Sequence, residues 1–198
     1  MKYKTIYADP PWYERGAGKI KRGADRHYPL MKTEEIKALP VRELIDPAGC
    51  HLYLWTTNNF LPDALEVVKA WGFEYVTVIT WMKDRQGIGQ YYRGLTEHCI
   101  FARTKQKLPF RLSEDGKRMQ GVTGFCAPKE EHSAKPEKMR EMIERVSYGP
   151  YLELFARKPH DGWDVWGNEV DGIELGGGYS GECISVIFFF IRGACLPY

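Results

Sequence analysis

Apolar positions along the chain follow two periods, and the switches between them mark out a series of short elements. Lys4 to Ala8 alternates loosely and runs into Asp9-Pro10-Pro11, which predicts a short buried strand halted by prolines. Thr33 is placed to cap a helix that runs to about Leu39 and stops at Pro40. Asp46-Pro47-Ala48-Gly49 reads as a turn, and His51 to Thr56 as a strand. From Pro62 to Trp71 the period becomes helical, with Leu61, Leu65, Val68 and Trp71 on one face and Gly72 closing the helix. Phe73 to Lys83 is rich in β-branched and aromatic residues and predicts a long strand.

Further strands are predicted at Cys99 to Ala102, Tyr151 to Ala156 and Trp163 to Trp166. A helix opens at Lys135-Pro136, with proline at its first position, and continues to about Val146 before Gly149-Pro150. Strands alternating with helices predict an α/β fold with a mostly parallel sheet and helices on both faces. No internal repeat is visible. Residues 171–198 are first Gly-rich and then Phe-rich, so we expect one domain over 1–170 and a C-terminal tail over 171–198.

Composition narrows this picture only in part. At 198 residues the chain suits a single domain with an adequate core, and 43% hydrophobic content excludes wholesale disorder. The N-terminus carries no long apolar region, and the longest apolar run, Val186 to Ile191, is far short of the roughly 20 residues that cross a bilayer. Cys50, Cys99, Cys126, Cys183 and Cys195 are odd in number, scattered and without a CxxC pair. They indicate neither a disulfide framework nor a zinc knuckle, and we expect a cytoplasmic protein with no metal.

The net charge is only +2, so bulk electrostatics give no case for a polyanion partner. Position changes this. Residues 14–32 hold six basic side chains against two acidic, and residues 83–118 hold nine against four. If both segments flank the first strand's end, the modest total masks a polarised surface that neutralises phosphates.

Candidate chemistry centres on Asp9-Pro10-Pro11-Trp12, straight after the first strand, where ligands bind in open α/β sheets. The prolines fix an extended backbone and supply no N–H, so the neighbouring carbonyls can accept hydrogen bonds. Asp9 adds a carboxylate acceptor and Trp12 a flat apolar plate. Such a set suits a planar group bearing an NH2, whose nitrogen becomes more reactive when both N–H groups are held out of conjugation.

Asp9-Pro10-Pro11-Trp12 resembles motif IV of amino-methyltransferases in the form used by the MT-A70 family of adenine-N6 methyltransferases. The resemblance continues in order along the chain, through Tyr28 to Ile36, Leu52 to Thr57 and the Thr96-Glu97-His98-Cys99-Ile100-Phe101 strand. His132 to Glu137, Met142 to Arg145, Leu152 to Arg157 and Trp166-Gly167-Asn168-Glu169 complete it. The family implies a Rossmann-like, S-adenosylmethionine-dependent methyltransferase with the catalytic motif first and the cofactor motif last.

By this resemblance Asp9 and the Pro10 carbonyl hold the target amine, Pro11 stiffens the motif, and Trp12 stacks on or shapes the base pocket. The cofactor is S-adenosyl-L-methionine. Asp9, Lys135, Glu153, Phe155, Arg157, His160, Asn168 and Glu169 line its site, with Glu153 and Asn168 suited to ribose or adenine and Lys135 and Arg157 to the methionine carboxylate. Glu169 stands where relatives carry Gln, which adds a charge.

By the resemblance the expected substrate is DNA or RNA with an accessible adenine, compact single-domain members leaning toward DNA, and the base must leave its stack. Tyr13, Arg15, Lys19, Lys21, Arg22, Tyr91, Tyr92, Arg93, Arg103 and Lys105 are the candidate nucleic-acid contacts, the tyrosines by stacking and the cations through phosphate. A homodimer is one assembly the resemblance allows.

Four alternatives stand beside this reading. N4-cytosine methylation usually begins its motif with Ser, and protein-amide methylation with Asn. Non-catalytic partner subunits of the family lose the aspartate and tryptophan that are both present here. A nicotinamide-dependent oxidoreductase needs a Gly-rich turn after a strand, and Gly176-Gly177-Gly178 lacks that context.

Overall fold

The computed structural model describes residues 1–13, 30–87, 91–129, 134–167, 170 and 173. Among the described residues seven strands form one sheet: β1 Thr5–Ala8, β2 His51–Thr56, β3 Glu74–Met82, β4 Thr96–Arg103, β5 Gly124–Cys126, β6 Tyr151–Leu154 and β7 Trp163–Trp166. Their spatial order is β5-β3-β4-β2-β1-β6-β7. Only β4 runs against the rest. The mostly parallel α/β architecture expected from the sequence is therefore present. From β1 the chain crosses to β2 on one side and later returns to β6 on the other, so β1 and β6 bound a topological switch point, where ligands bind beyond the strands' carboxyl ends.

Alternation along the strands sorts the core into two layers. Ile6, Ala8, Leu52, Leu54, Ile100, Ala102, Leu152 and Leu154 face one side. There they meet Ile36 of α1 (Thr33–Lys37) and Ala64, Val67 and Val68 of α2 (Leu61–Ala70). The other side carries Tyr7, Tyr53, Trp55, Ile79, Trp81, Cys99 and Phe101, covered by Met139 and Ile143 of α3 (Glu137–Val146).

Several expectations shift. Thr33 does not cap α1: Lys32 is the N-cap, its backbone N–H donates to Glu35 Oε2 at 2.7 Å, and the Thr33 hydroxyl donates to Asp63 Oδ1 at 2.6 Å. Pro136 precedes α3 as its N-cap rather than opening it. β4 is longer than expected, and the three-residue β5 has too few residues to show a period at all. Ile173 donates its N–H to the Val165 carbonyl at 2.9 Å and packs on the α1–α2 layer. Among the described residues no helix is long and apolar enough to cross a membrane.

Candidate active site

Asp9 follows the last residue of β1, in phase with Tyr7 and so directed to the α3 layer. Lys135, one residue before the α3 cap, reaches across to it, with Nζ 2.7 Å from Asp9 Oδ2. The same ammonium lies 3.4 Å from Glu97 Oε2, at the start of β4, and 5.4 Å above the Trp55 ring. Glu97 is also bonded by Lys83 at the end of β3, and Lys83 sits 5.1 Å over Trp81. The result is a line of alternating charges, Lys83–Glu97–Lys135–Asp9, across three strands at the sheet's carboxyl edge. β4 contributes its first residues there because it alone is reversed.

Burial would lower the Lys135 pKa, but Asp9 and Glu97 together outweigh it and hold the ammonium above the usual lysine value. Burial would raise Glu97, yet Lys135 and Lys83 bring it below the usual carboxylate range. An ammonium has three N–H donors, and Asp9 and Glu97 take two.

The Asp-Pro-Pro-Trp turn is held from behind. Met31 donates to the Pro11 carbonyl at 2.8 Å, and the Trp12 N–H donates to the Pro10 carbonyl at 3.0 Å. One lone pair on Pro10 is thereby used and one remains. Trp12 is not an open plate. It is 9% exposed, its indole N–H donates to the Trp55 carbonyl at 3.1 Å, and its ring stacks on Phe60 at 5.6 Å.

One strand over, Glu153 of β6 pairs in register with Tyr7 and faces the same layer. Arg140 Nη2 donates to its Oε2 at 2.7 Å, and His160 Nε2 lies 3.9 Å from that oxygen. Burial raises the Glu153 pKa; Arg140 offsets this only in part, while Asp9 and Glu137 add to it. Burial and then Arg140 lower the pKa of His160. Phe155 turns the chain away from β6 with φ 64, a strained conformation for a bulky residue, and its ring meets Trp166 edge-on at 5.3 Å. Arg157 lies close enough to Lys135 for their charges to oppose. Asp9, Lys135, Glu153, Phe155, Arg157 and His160 thus gather at one edge, whereas Asn168 and Glu169 lie outside the described residues.

The nucleic-acid candidates divide. Tyr91 and Tyr92, each 94% exposed, and Arg93 belong to the β3–β4 connection at the edge that carries Asp9, and Tyr13 is exposed just after the motif. Arg15, Lys19, Lys21 and Arg22 lie outside the described residues. Arg103 and Lys105 do not flank the motif. Arg103 ends the reversed β4 and pairs with His51 and Glu74, the first residues of β2 and β3. At about 3.4 Å per residue it is roughly 24 Å from the edge that carries Asp9. Arg111 follows it there, donating to the Glu144 and Val146 carbonyls at the end of α3. The 83–118 basic run is therefore split between opposite edges, because the sequence does not disclose the direction of β4.

Arg140 and the Lys83–Glu97 pair escaped the reading of single residues. Their signals were a cation on the apolar face of α3 and a lysine closing an otherwise hydrophobic strand. Among the described residues no cluster of His, Cys, Asp or Glu could hold a metal.

The MT-A70 family model matches residues 3–169, which contain every described element. This chain belongs to the MT-A70 family. It is 32% identical to the type II methyltransferase M.MunI of Mycoplasma sp., over 85% of this chain and 78% of that protein. It is 29% identical to the human N(6)-adenosine-methyltransferase catalytic subunit METTL3, over 88% of this chain and 29% of that one. It is also 29% identical to the mouse N(6)-adenine-specific methyltransferase METTL4, over 85% and 37%. The chain thus spans most of the Mycoplasma enzyme and about a third of the two mammalian proteins. The MT-A70 match and the Rossmann-like sheet agree with the fold and family expected from the ordered motifs.

Proposed function

We propose that this chain is an S-adenosylmethionine-dependent methyltransferase that methylates the exocyclic N6 of adenine in nucleic acid, with DNA favoured over RNA. The observation that carries the reading is Asp9, a carboxylate acceptor held by Lys135 at the switch-point edge beside Glu153, in a chain of the MT-A70 family. The DNA preference rests on the match to the type II methyltransferase, most of which this chain spans.

The donor set suits the cofactor. Glu153 and His160 offer polar atoms to ribose hydroxyls, and Lys135 and Arg157 offer cations to a carboxylate, the third Lys135 donor serving there. Phe155 is assigned to the same site, and Asn168 and Glu169 are candidate cofactor contacts by the family pattern alone. When bound, S-adenosylmethionine supplies an electrophilic methyl group.

Asp9 Oδ accepts one N–H of the adenine amine, and the remaining lone pair of the Pro10 carbonyl accepts the other. Holding both hydrogens turns the nitrogen lone pair out of the ring, and the carboxylate stabilises positive charge as it develops on nitrogen. Lys135 fixes the Asp9 oxygen in place, and Glu97 with Lys83 fixes Lys135. Trp12, locked on Phe60, shapes the wall against which an extruded base lies. Tyr91 and Tyr92 stack on unpaired bases beside the target, and Arg93 and Tyr13 border the same entrance.

The test uses purified protein, isotopically labelled S-adenosylmethionine and adenine-containing oligonucleotides. Label transfer to wild type's substrate and its loss in Asp9→Ala supports the reading. An Asp9→Ala variant that stays fully active overturns it.

A further inference from the structure

We propose that Arg140 is a positioning residue that holds Glu153 as a fixed, ionised acceptor for the cofactor, an inference that rests on the methyltransferase reading above. Arg140 lies on the covered side of α3, whose other buried residues are Met139, Ile143 and Val146, and it is only 8% exposed. A cation there breaks the apolar pattern. Its guanidinium lies between two rings, 5.8 Å from Tyr7 and 5.7 Å from Trp163. Nη1 donates to Glu137 Oε2 at 2.6 Å and Nη2 to Glu153 Oε2 at 2.7 Å. Its Nε is buried with no hydrogen-bond partner among the described residues.

As a device for stability this arrangement is poor. A buried ion pair is commonly replaceable by apolar side chains without loss, and an orphaned buried N–H adds a further cost. What the arrangement does achieve is the orientation of one carboxylate at the switch-point edge. Glu137 and the two rings set the guanidinium plane, and that plane sets the Glu153 oxygen.

The groups around Glu153 make Arg140 the decisive one. From β1 it faces the Tyr7 hydroxyl and Asp9, from α3 Arg140 and Glu137, and from the segment after β6 His160, with Lys158 further out. Burial, Asp9 and Glu137 all favour the protonated carboxyl, and Arg140 opposes them. Removing Arg140 leaves burial, Asp9 and Glu137 unopposed, which shifts the carboxyl further towards its protonated form and so from acceptor towards donor for ribose hydroxyls.

The experiment measures S-adenosylmethionine binding by calorimetry from pH 5.5 to 8.5 for wild type, Arg140→Met, Arg140→Lys, Glu153→Gln and the Arg140→Met/Glu153→Gln double variant. Arg140→Met is expected to weaken binding about tenfold or more at pH 7, with steeper loss as the pH falls, because Glu153 then protonates at higher pH. Arg140→Lys, which keeps the charge, is expected to recover part of the affinity and most of the pH profile. In the Glu153→Gln background, Arg140→Met is expected to change binding by less than about threefold, since the two act as a unit.

A wild-type pH profile in Arg140→Met, or the same fold loss with and without Glu153, overturns the proposal. If Arg140→Met does not fold, Arg140→Lys with and without Glu153→Gln decides: a loss of affinity that disappears in the Glu153→Gln background supports the proposal, and a loss that persists there, or no loss at all, refutes it. Wild-type protein that binds no S-adenosylmethionine overturns the methyltransferase reading itself, a different outcome from wild-type binding that ignores Arg140.

Discussion

Replacing Lys135 by methionine takes away the ammonium that touches Asp9 at 2.7 Å and Glu97 at 3.4 Å. Both carboxylates lie against that one nitrogen, so they are at most about 6 Å apart. At an effective dielectric of about 20, two like charges at that distance repel by roughly 3 kcal/mol. The methionine retains packing on Trp55, so the loss is chiefly electrostatic. We expect Lys135→Met to be destabilised by about 3 kcal/mol near neutral pH, measured by urea unfolding with tryptophan fluorescence.

The sign of the pH dependence follows from the shifts. Lys135 is raised in the folded protein, so its contribution is complete below the ordinary lysine range and is lost as the pH rises through the folded value. Glu97 is lowered, so its contribution is present above the ordinary carboxylate range and is lost as the pH falls through the depressed value. The gap between wild type and variant should be widest between about pH 6 and 9 and should narrow in acid. A gap below about 0.5 kcal/mol at pH 7.5, or one that stays constant down to pH 4, would refute the reasoning.

Trp12→Ala removes the indole donor to Trp55 and the stack on Phe60 and should cost about 3–5 kcal/mol in thermal or urea unfolding, while Trp12→Phe should recover much of the apolar part. Gly167→Ala should destabilise by about 2 kcal/mol or more, because a Cβ there would lie 2.1 Å from the Ala156 carbonyl oxygen where β6 and β7 end. The double substitution of Tyr91 and Tyr92 by Ser should leave the unfolding midpoint unchanged and weaken binding of single-stranded oligonucleotide in fluorescence anisotropy by about tenfold or more. Arg103→Glu with Lys105→Glu should alter oligonucleotide affinity less than Arg93→Glu does, since Arg103 and Lys105 lie at the opposite edge of the sheet.

Much of this architecture is legible from local signals. The alternation of Thr5 to Ala8 and His51 to Thr56, the Asp9-Pro10-Pro11 stop and the Trp163 to Trp166 run each mark an element that forms where expected. Local pattern carries no information on strand direction, however. β4 reads the same whether parallel or antiparallel, yet its reversal brings Glu97 to Asp9 and sends Arg103 to the far edge. β5 is too short for a period and forms by pairing with β3. Asp9 is recognisable because its chemistry sits in a contiguous motif. Its supporting charges are not, because Lys83, Glu97 and Lys135 converge from separate segments, and Arg140 meets Glu153 only when α3 packs on the sheet.

The measurement closest to the central claim is nucleoside mass spectrometry after expression of the chain in a host lacking N6-adenine methylation. DNA and RNA are digested separately, and wild type is compared with Asp9→Ala. The account predicts N6-methyladenine above background in the DNA of wild-type cells and its absence with Asp9→Ala. N6-methyladenine confined to RNA would overturn the preference for DNA alone. No methylated adenine in either polymer, with the protein folded and binding S-adenosylmethionine, or undiminished methylation by Asp9→Ala, would contradict the account.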